Sequence, residues 1–397
     1  ASAKKLYASL ANRRLELEQK LVSTFPNWKK YKGTFIPKRD NKTLGYKKGV
    51  PIKRYEEITF NPNSRDHIAD RLMNKGWKPK LYTPDGRPKV DETVLSSLEY
   101  PEAKLLAEHF LVQKRIGQLA EGANAWLKLE RNGKIYGQVI TNGANTGRCT
   151  HQKPNVAQTP SVGVPYGKEC RSLFTVPDGY VLIGCDASGL ELRCLAHYLG
   201  AFDEGRFANE LLNGDVHTNN QKQIGLPTRD LAKRVIYGVI YGVGDARLGS
   251  IVDKTSSEGR RIKTKLFETI PALKILKDSV IVKSRNQKYL YGLDKRKLIP
   301  RSEHSSLNLL IQSAGALLIK KATVILHKKL KEKNYDANIC AMVAHVHDEL
   351  QLQCKSDYAT EVGEIAVQSI KDAGTYFNFR CPLDAKYKIG KTWANTH

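Results

Sequence analysis

The 397-residue chain is poor in negative charge, with 40 Asp and Glu against 65 Lys and Arg and a formal net charge of +25. Such a deficit on a foldable chain points to a polyanionic partner, nucleic acid first. A disulfide framework or structural zinc site is excluded by the cysteines, Cys149, Cys170, Cys185, Cys194, Cys340, Cys354 and Cys381: their number is odd and no C-x-x-C occurs. Several lie in apolar stretches and read as buried thiols of a reducing cytoplasm. There is no run of about 18 apolar residues and no signal-peptide core at the start, so neither a transmembrane helix nor a membrane partner is expected. Internal repeats are absent. Hydrophobic residues at 41% and charged residues at 26% exclude a disordered or collagen-like chain. At about 100–200 residues per domain, the length means two to four domains or one articulated enzyme.

What is present begins with an apolar stripe. Leu6, Leu10, Leu17, Leu21 and Phe25 fall at helical spacing over residues 3–25. From Lys29 to Arg54 there are ten basic residues and one acidic residue, Asp40, with Gly33, Pro37, Gly45, Gly49 and Pro51 interspersed. This stretch reads as a mobile basic loop without regular structure, either solvated or in contact with phosphates or an acidic partner. Helices are predicted over 64–75, 100–130, much of 190–284 and 307–333. Strands are predicted at Ile135–Ile140, Tyr180–Cys185, Asn338–His345 and Leu350–Cys354, the last half-buried by its alternation. Helices at both ends with strands between make the fold class α+β.

Three constellations carry chemistry. In VLIGCDASGLELRCLAHY an apolar strand ends in Asp186, and a helix starts near Leu190. A carboxylate there could hold a hard cation or merely cap the helix. In PTRDLAKRVIYGVIYGVGD, Thr228 caps a helix on which Arg229, Lys233 and Tyr237 fall at i, i+4 and i+8. Each is displaced about 40° from the last, which lines up a phosphate fork, a point charge and an aromatic ring. Gly238, inside that helix, costs about 1 kcal/mol relative to Ala, which close approach of a bulky group such as a base would explain. In HVHDELQLQ a tight turn exposes Asp348 and Glu349 beside His347 between two apolar strands. Two such aspartates brought together could hold two Mg²⁺ ions about 4 Å apart, although their spacing does not show that they meet.

The motifs together resemble those of the family A (Pol I-like) DNA polymerases, in particular the thioredoxin-using replicative branch of short-tailed coliphages. DASGLELRCLAHY is similar to motif A, RDLAKRVIYGVIYG to motif B and VHDE to motif C, in that order. Further agreement runs from FNPNSRDHI (60–68) through TGRCTHQKPNVAQTP (146–160) and LNLLIQSAGA (307–316) to NFRCPLD (378–384). The resemblance implies a right-hand polymerase fold with an antiparallel palm sheet: thumb 1–132 carrying the basic loop 29–54, palm 133–191 plus 310–397, fingers 192–309. It implies Asp186, Asp348 and the Ala187 carbonyl as ligands of two Mg²⁺, and His217, Arg229 and Lys233 as triphosphate holders, with Lys233 and both aspartates catalytic. Tyr237 would stack on sugar and base, paired with Glu191 to crowd the 2′ position. Arg148, Asn308 and Gln312 would read the minor groove of a primer–template, and His347 would lie against the primer.

The implied reaction is template-directed addition of deoxynucleoside triphosphates to a primer 3′-hydroxyl, for phage genome replication in the cytoplasm of an infected bacterium, with a helicase–primase as partner. Two departures from the family pattern qualify this. The acidic D-x-E signature of the proofreading exonuclease is absent, and the chain opens with Ala1 and not Met. The expectation is no 3′→5′ exonuclease activity and association with a separate exonuclease-bearing chain. Only a short segment separates Trp28 from Phe60, where the phage enzymes carry a thioredoxin-binding insertion, so thioredoxin is not expected. The alternatives are a single-subunit phage-type RNA polymerase, which Glu191 argues against, and a catalytically silent DNA-binding clamp, which intact Asp186, Lys233 and Asp348 argue against.

Overall fold

Helical spacing of leucines along the first residues produces α1 (Ser2–Thr24), with Leu10, Leu17 and Leu21 on its buried face. The computed structural model describes residues 1–397 as two units, Ala1–Tyr136 and Gly137–His397. In the first, α1 packs along a helix at Pro101–Ile116. The Arg13 guanidinium grips the Glu108 carboxylate with two prongs, 2.7 and 3.0 Å. The predicted 100–130 helix stops early. After a π-turn at Gly117–Glu121, Gly122 donates to the Gly117 carbonyl, and a Cβ there would lie 2.5 Å from that oxygen.

The basic loop is largely a correction. Its flanks pair as antiparallel strands β1 (Trp28–Phe35) and β2 (Ile52–Ile58), with Tyr31 opposite Tyr55 and a bulge before Gly33. The charge run hides this because its partners lie outside it: Lys29 faces Glu57 and Lys30 faces Glu56. Trp28 anchors the hairpin base on α2 (Arg65–Asn74), under the Arg71 guanidinium at 4.1 Å and beside His67 at 5.1 Å. The predicted strand Ile135–Ile140 is also split, Lys134–Ile135 pairing with Glu130–Arg131 and Gln138–Ile140 with Thr150–Gln152.

The second unit is built on four antiparallel strands: β3 (Tyr180–Ala187), β4 (Cys340–Val346), β5 (Glu349–Lys355) and β6 (Ala385–Gly390). Their spatial order is β4-β5-β3-β6. Its core joins the sheet to the helices that follow β3 and to α3 (Ser306–Glu332). That helix is long and apolar enough to cross a membrane, yet 61% of its most apolar window is buried in the fold. The central place of β5 corrects the expected half-burial: Gln351 is only 2% exposed. Its polar side chain is accommodated because it donates to Glu349 at 2.5 Å and accepts from Thr396 at 2.9 Å.

Candidate active site

Asp186 sits near the end of β3, directly opposite Glu349, the first residue of β5. The turn His347–Asp348 joins β4 to β5, and His347 takes a left-handed φ of 55° there. The Ala187 amide donates to the Asp348 carbonyl at 3.1 Å, so the two aspartates are neighbours across adjoining strands. Burial, then the charges of Glu349 and Asp348, push the Asp186 carboxyl up to about 6. Asp348 is raised as well, by burial and Glu191, with Arg148 opposing. Carboxylates held in their less comfortable charged form suit a hard divalent cation. No cluster of three or more His, Cys, Asp or Glu side chains suited to a metal is present. Asp186 and Asp348 are the carboxylates that could hold such an ion, and Mg²⁺ fills its remaining positions with water or substrate oxygens.

From Asp348 a chain of contacts runs outward. The Arg148 guanidinium stands 3.6 Å from Asp348 Oδ1 and 3.2 Å from Glu191 Oε1. The other Glu191 oxygen accepts the Tyr241 hydroxyl at 2.7 Å. Tyr241 lies 6.0 Å from the Tyr237 ring, and Tyr237 lies 6.4 Å from the His217 ring. Glu191 begins the helix Leu190–Leu199, while Tyr237 belongs to Arg229–Ile240, capped by the Thr228 hydroxyl accepting from Leu231. The hydrogen-bonded partners of Glu191 are Tyr241 and Arg148, and Tyr237, its expected partner, lies beside Tyr241 and within reach of the Glu191 charge. Tyr241 is the residue that sequence reasoning missed, although it continues the stripe one further i+4 step and caps the same helix.

The remaining positions divide clearly. Lys233 is exposed on the same helix face as Arg229. Arg229 is held two-pronged by Asp215 at 2.7 and 3.1 Å. Asp215 also caps the helix Val216–Ile224, and its carboxyl is held far below the usual range, chiefly by Arg229. His217 is buried, its titration lowered by burial and by Arg229, and its Nδ1 has no partner. Asn308 and Gln312 are half-buried one turn apart on α3, and Asn308 Oδ1 is likewise unpartnered. His347 is exposed. Two expectations fail. Glu349 is buried, not exposed, accepting hydrogen bonds from Trp393 Nε1 at 2.7 Å and Gln351 Nε2 and facing His397 Nδ1 at 2.9 Å. Gly238 gives no room to a ligand, since a Cβ there would meet Val243 and Ile251 at 3.2 Å and Leu248 at 3.4 Å.

Loop 141–147, which leads into Arg148, is fastened by a residue no motif contains. Lys320 Nζ, on α3, donates to the carbonyls of Thr141 and Gly147, each at 2.5 Å, and to Asn142 Oδ1 at 2.8 Å.

Comparison with known proteins gives this geometry a lineage. The family model for DNA polymerase family A matches residues 48–395. The DNA-directed DNA polymerase of Escherichia phage T7 is 39% identical over 99% of this chain, and that of Enterobacteria phage T3 equally so. The chain spans 66% of the length of each of these relatives. The thermostable DNA polymerase I of Thermus aquaticus is 26% identical over 84% of the chain. Among solved structures, the polymerase domain of Pol1 from M. smegmatis, in complex with DNA primer–template and dNTP, superposes on the whole chain with a TM-score of 0.79 at 19% identity. The match spans 66% of the M. smegmatis chain and establishes the right-hand α+β polymerase fold. Motif order, fold and family model agree with the resemblance read from the sequence, and the chain belongs to DNA polymerase family A.

Proposed function

We propose that the chain is a DNA-directed DNA polymerase, extending a primer 3′-hydroxyl on a DNA template with deoxynucleoside triphosphates, in the service of phage replication inside a host cell. The observation that carries this reading is the pairing of Asp186 and Asp348 through the Ala187–Asp348 hydrogen bond, linked step by step to the cationic helix of Arg229 and Lys233. On this assignment residues 1–132 are thumb, 133–191 and 310–397 palm, and 192–309 fingers.

Asp186, Asp348 and the Ala187 carbonyl would hold two Mg²⁺, which when bound lower the pKa of the attacking hydroxyl and neutralise the leaving pyrophosphate. The protein's own residues position and stabilise charge. Lys233 and Arg229 bind the triphosphate, Arg229 either with the N–H groups that Asp215 leaves free or by exchanging Asp215 for phosphate, a like-for-like swap of bidentate partners. His217, behind Tyr237, completes the same triphosphate site. Tyr237 stacks on the incoming sugar and base, and Glu191, held by Arg148 and Tyr241, closes the space beside the 2′ carbon. Arg148, Asn308 and Gln312 touch the minor groove near the primer end, with His347 against the primer strand. Primer extension with Mg²⁺ tests the reading. Deoxynucleotide addition that disappears in Asp186→Asn and Asp348→Asn supports it. Preferential ribonucleotide addition would favour the RNA polymerase alternative, and DNA binding without extension the silent clamp.

A further inference from the structure

The hairpin β1–β2 presents a ring pair with no use inside the fold. Tyr31 and Tyr55 lie directly opposite each other, their centroids 5.8 Å apart and edge to face. They are 52% and 54% exposed. Lys53 follows on the same face, two residues from Tyr55. Charge around them is uneven. On the strands Glu56 pairs with Lys32 at 2.5 Å, and Lys29 faces Glu57. In the connecting segment, Lys38, Lys42, Lys47 and Lys48 are exposed and form no ion pair, and its single acid, Asp40, accepts the Lys48 backbone amide. The hairpin therefore offers Lys53 on the face of the two rings and, in the segment beyond the strand ends, further cations without counter-charges.

We propose that this hairpin binds single-stranded DNA, with unpaired bases stacking on Tyr31 and Tyr55 and the phosphates following the unpaired lysines. Every base has a π-face, so rings flanked by cations bind single strands without regard to sequence. A duplex keeps its bases stacked on one another and would use only the lysines. An acidic protein would equally ignore the rings. The inference goes beyond the polymerase reading and uses no catalytic step, so either can fail without the other.

The test uses the full chain, without Mg²⁺ or nucleotides, and fluorescence anisotropy of labelled oligo(dT) and of a blunt duplex of equal length. The double variant Tyr31→Ala/Tyr55→Ala should bind oligo(dT) about tenfold more weakly or worse, and the duplex within about twofold of the parent. Tyr31→Phe/Tyr55→Phe should restore the oligo(dT) affinity, which separates stacking from loss of the Tyr31–Thr34 hydroxyl hydrogen bond at 2.5 Å. Tyr55→Trp keeps a stacking ring and should show fluorescence quenching on oligo(dT) relative to the parent. Neutralising Lys38, Lys42, Lys47 and Lys48 should reduce the salt slope by about 0.7 for each phosphate that is no longer neutralised. Unchanged oligo(dT) affinity in the alanine variant, or equal losses on both DNAs with an unaltered melting temperature, would overturn the proposal. So would polyglutamate binding to the hairpin as tightly as oligo(dT) and with the same indifference to the tyrosines.

Discussion

The Ala187 amide and the Asp348 carbonyl are hydrogen-bonded at 3.1 Å, which ties the turn between β4 and β5 to the end of β3. That one bond makes neighbours of two carboxylates from opposite ends of the second unit's sequence. Asp186→Asn and Asp348→Asn should each abolish primer extension while leaving duplex affinity within a few-fold, because each removes a ligand and not a groove contact. Extension near the parental rate in either variant would remove the two-metal assignment.

The raised titration of Asp186 also has a stability consequence. The folded chain binds that proton more tightly than the unfolded one, so this group's contribution to stability falls as pH rises from 3.8 to about 6, and stays unfavourable above. In EDTA at pH 7, Asp186→Asn should therefore melt at a higher temperature than the parent, with the gap narrowing toward pH 5. Mg²⁺ should raise the parent's melting temperature and shift the variant much less. Thermal melts with and without EDTA measure both effects.

Tyr237 is half-buried between His217 and Tyr241, with its hydroxyl titration pushed up to about 12 by burial and by Glu191 and Asp348. A protonated phenol against the sugar can fill the space of a missing 3′-hydroxyl. The enzyme should accept dideoxynucleotides readily, and Tyr237→Phe should discriminate strongly against them in single-nucleotide competition. Equal incorporation by both proteins would take Tyr237 out of sugar contact.

Tyr241 holds Glu191 from the side opposite Arg148. Removing its hydroxyl in Tyr241→Phe should cost about 1.5–3 kcal/mol of charge-assisted hydrogen bonding and leave the carboxylate freer to swing. Ribonucleotide incorporation should rise relative to deoxynucleotide, as a change in the ratio of kcat/KM values. An unaltered ratio would show that Arg148 alone fixes Glu191.

Lys320 should act through Arg148. Lys320→Met leaves two carbonyls and an amide oxygen of loop 141–147 without their cation. Primer extension should fall mainly in kcat, since the helix assigned to nucleotide binding is untouched, and Lys320→Arg should recover part of it. A loss confined to melting temperature would reduce Lys320 to a structural pin.

Much of this site is legible in the sequence because local rules write it. The Arg229–Lys233–Tyr237 stripe follows from helical period and a Thr228 cap, and a strand ending in Asp186 follows from apolar run and turn. What depends on distant partners is not legible. Glu349 reads as a turn acid but lies buried, because Trp393 and His397 come from far along the chain to satisfy it. Gly238 reads as clearance for a ligand, yet the clearance serves Val243, Leu248 and Ile251, packed against it from the following turn and helix. The hairpin within the basic stretch is invisible for a related reason, since its neutralising glutamates lie beyond the charge run.

Arg148 reaches Glu191 with the same terminal nitrogen that stands near Asp348. A single positive charge thus divides its influence between the group assigned to choose the sugar and a group assigned to hold the metal. Any change that draws the guanidinium toward one weakens its hold on the other. Through Arg148, sugar discrimination and catalytic rate would then shift together, and a variant that relaxes substrate choice by moving this guanidinium would have its turnover altered at the same stroke.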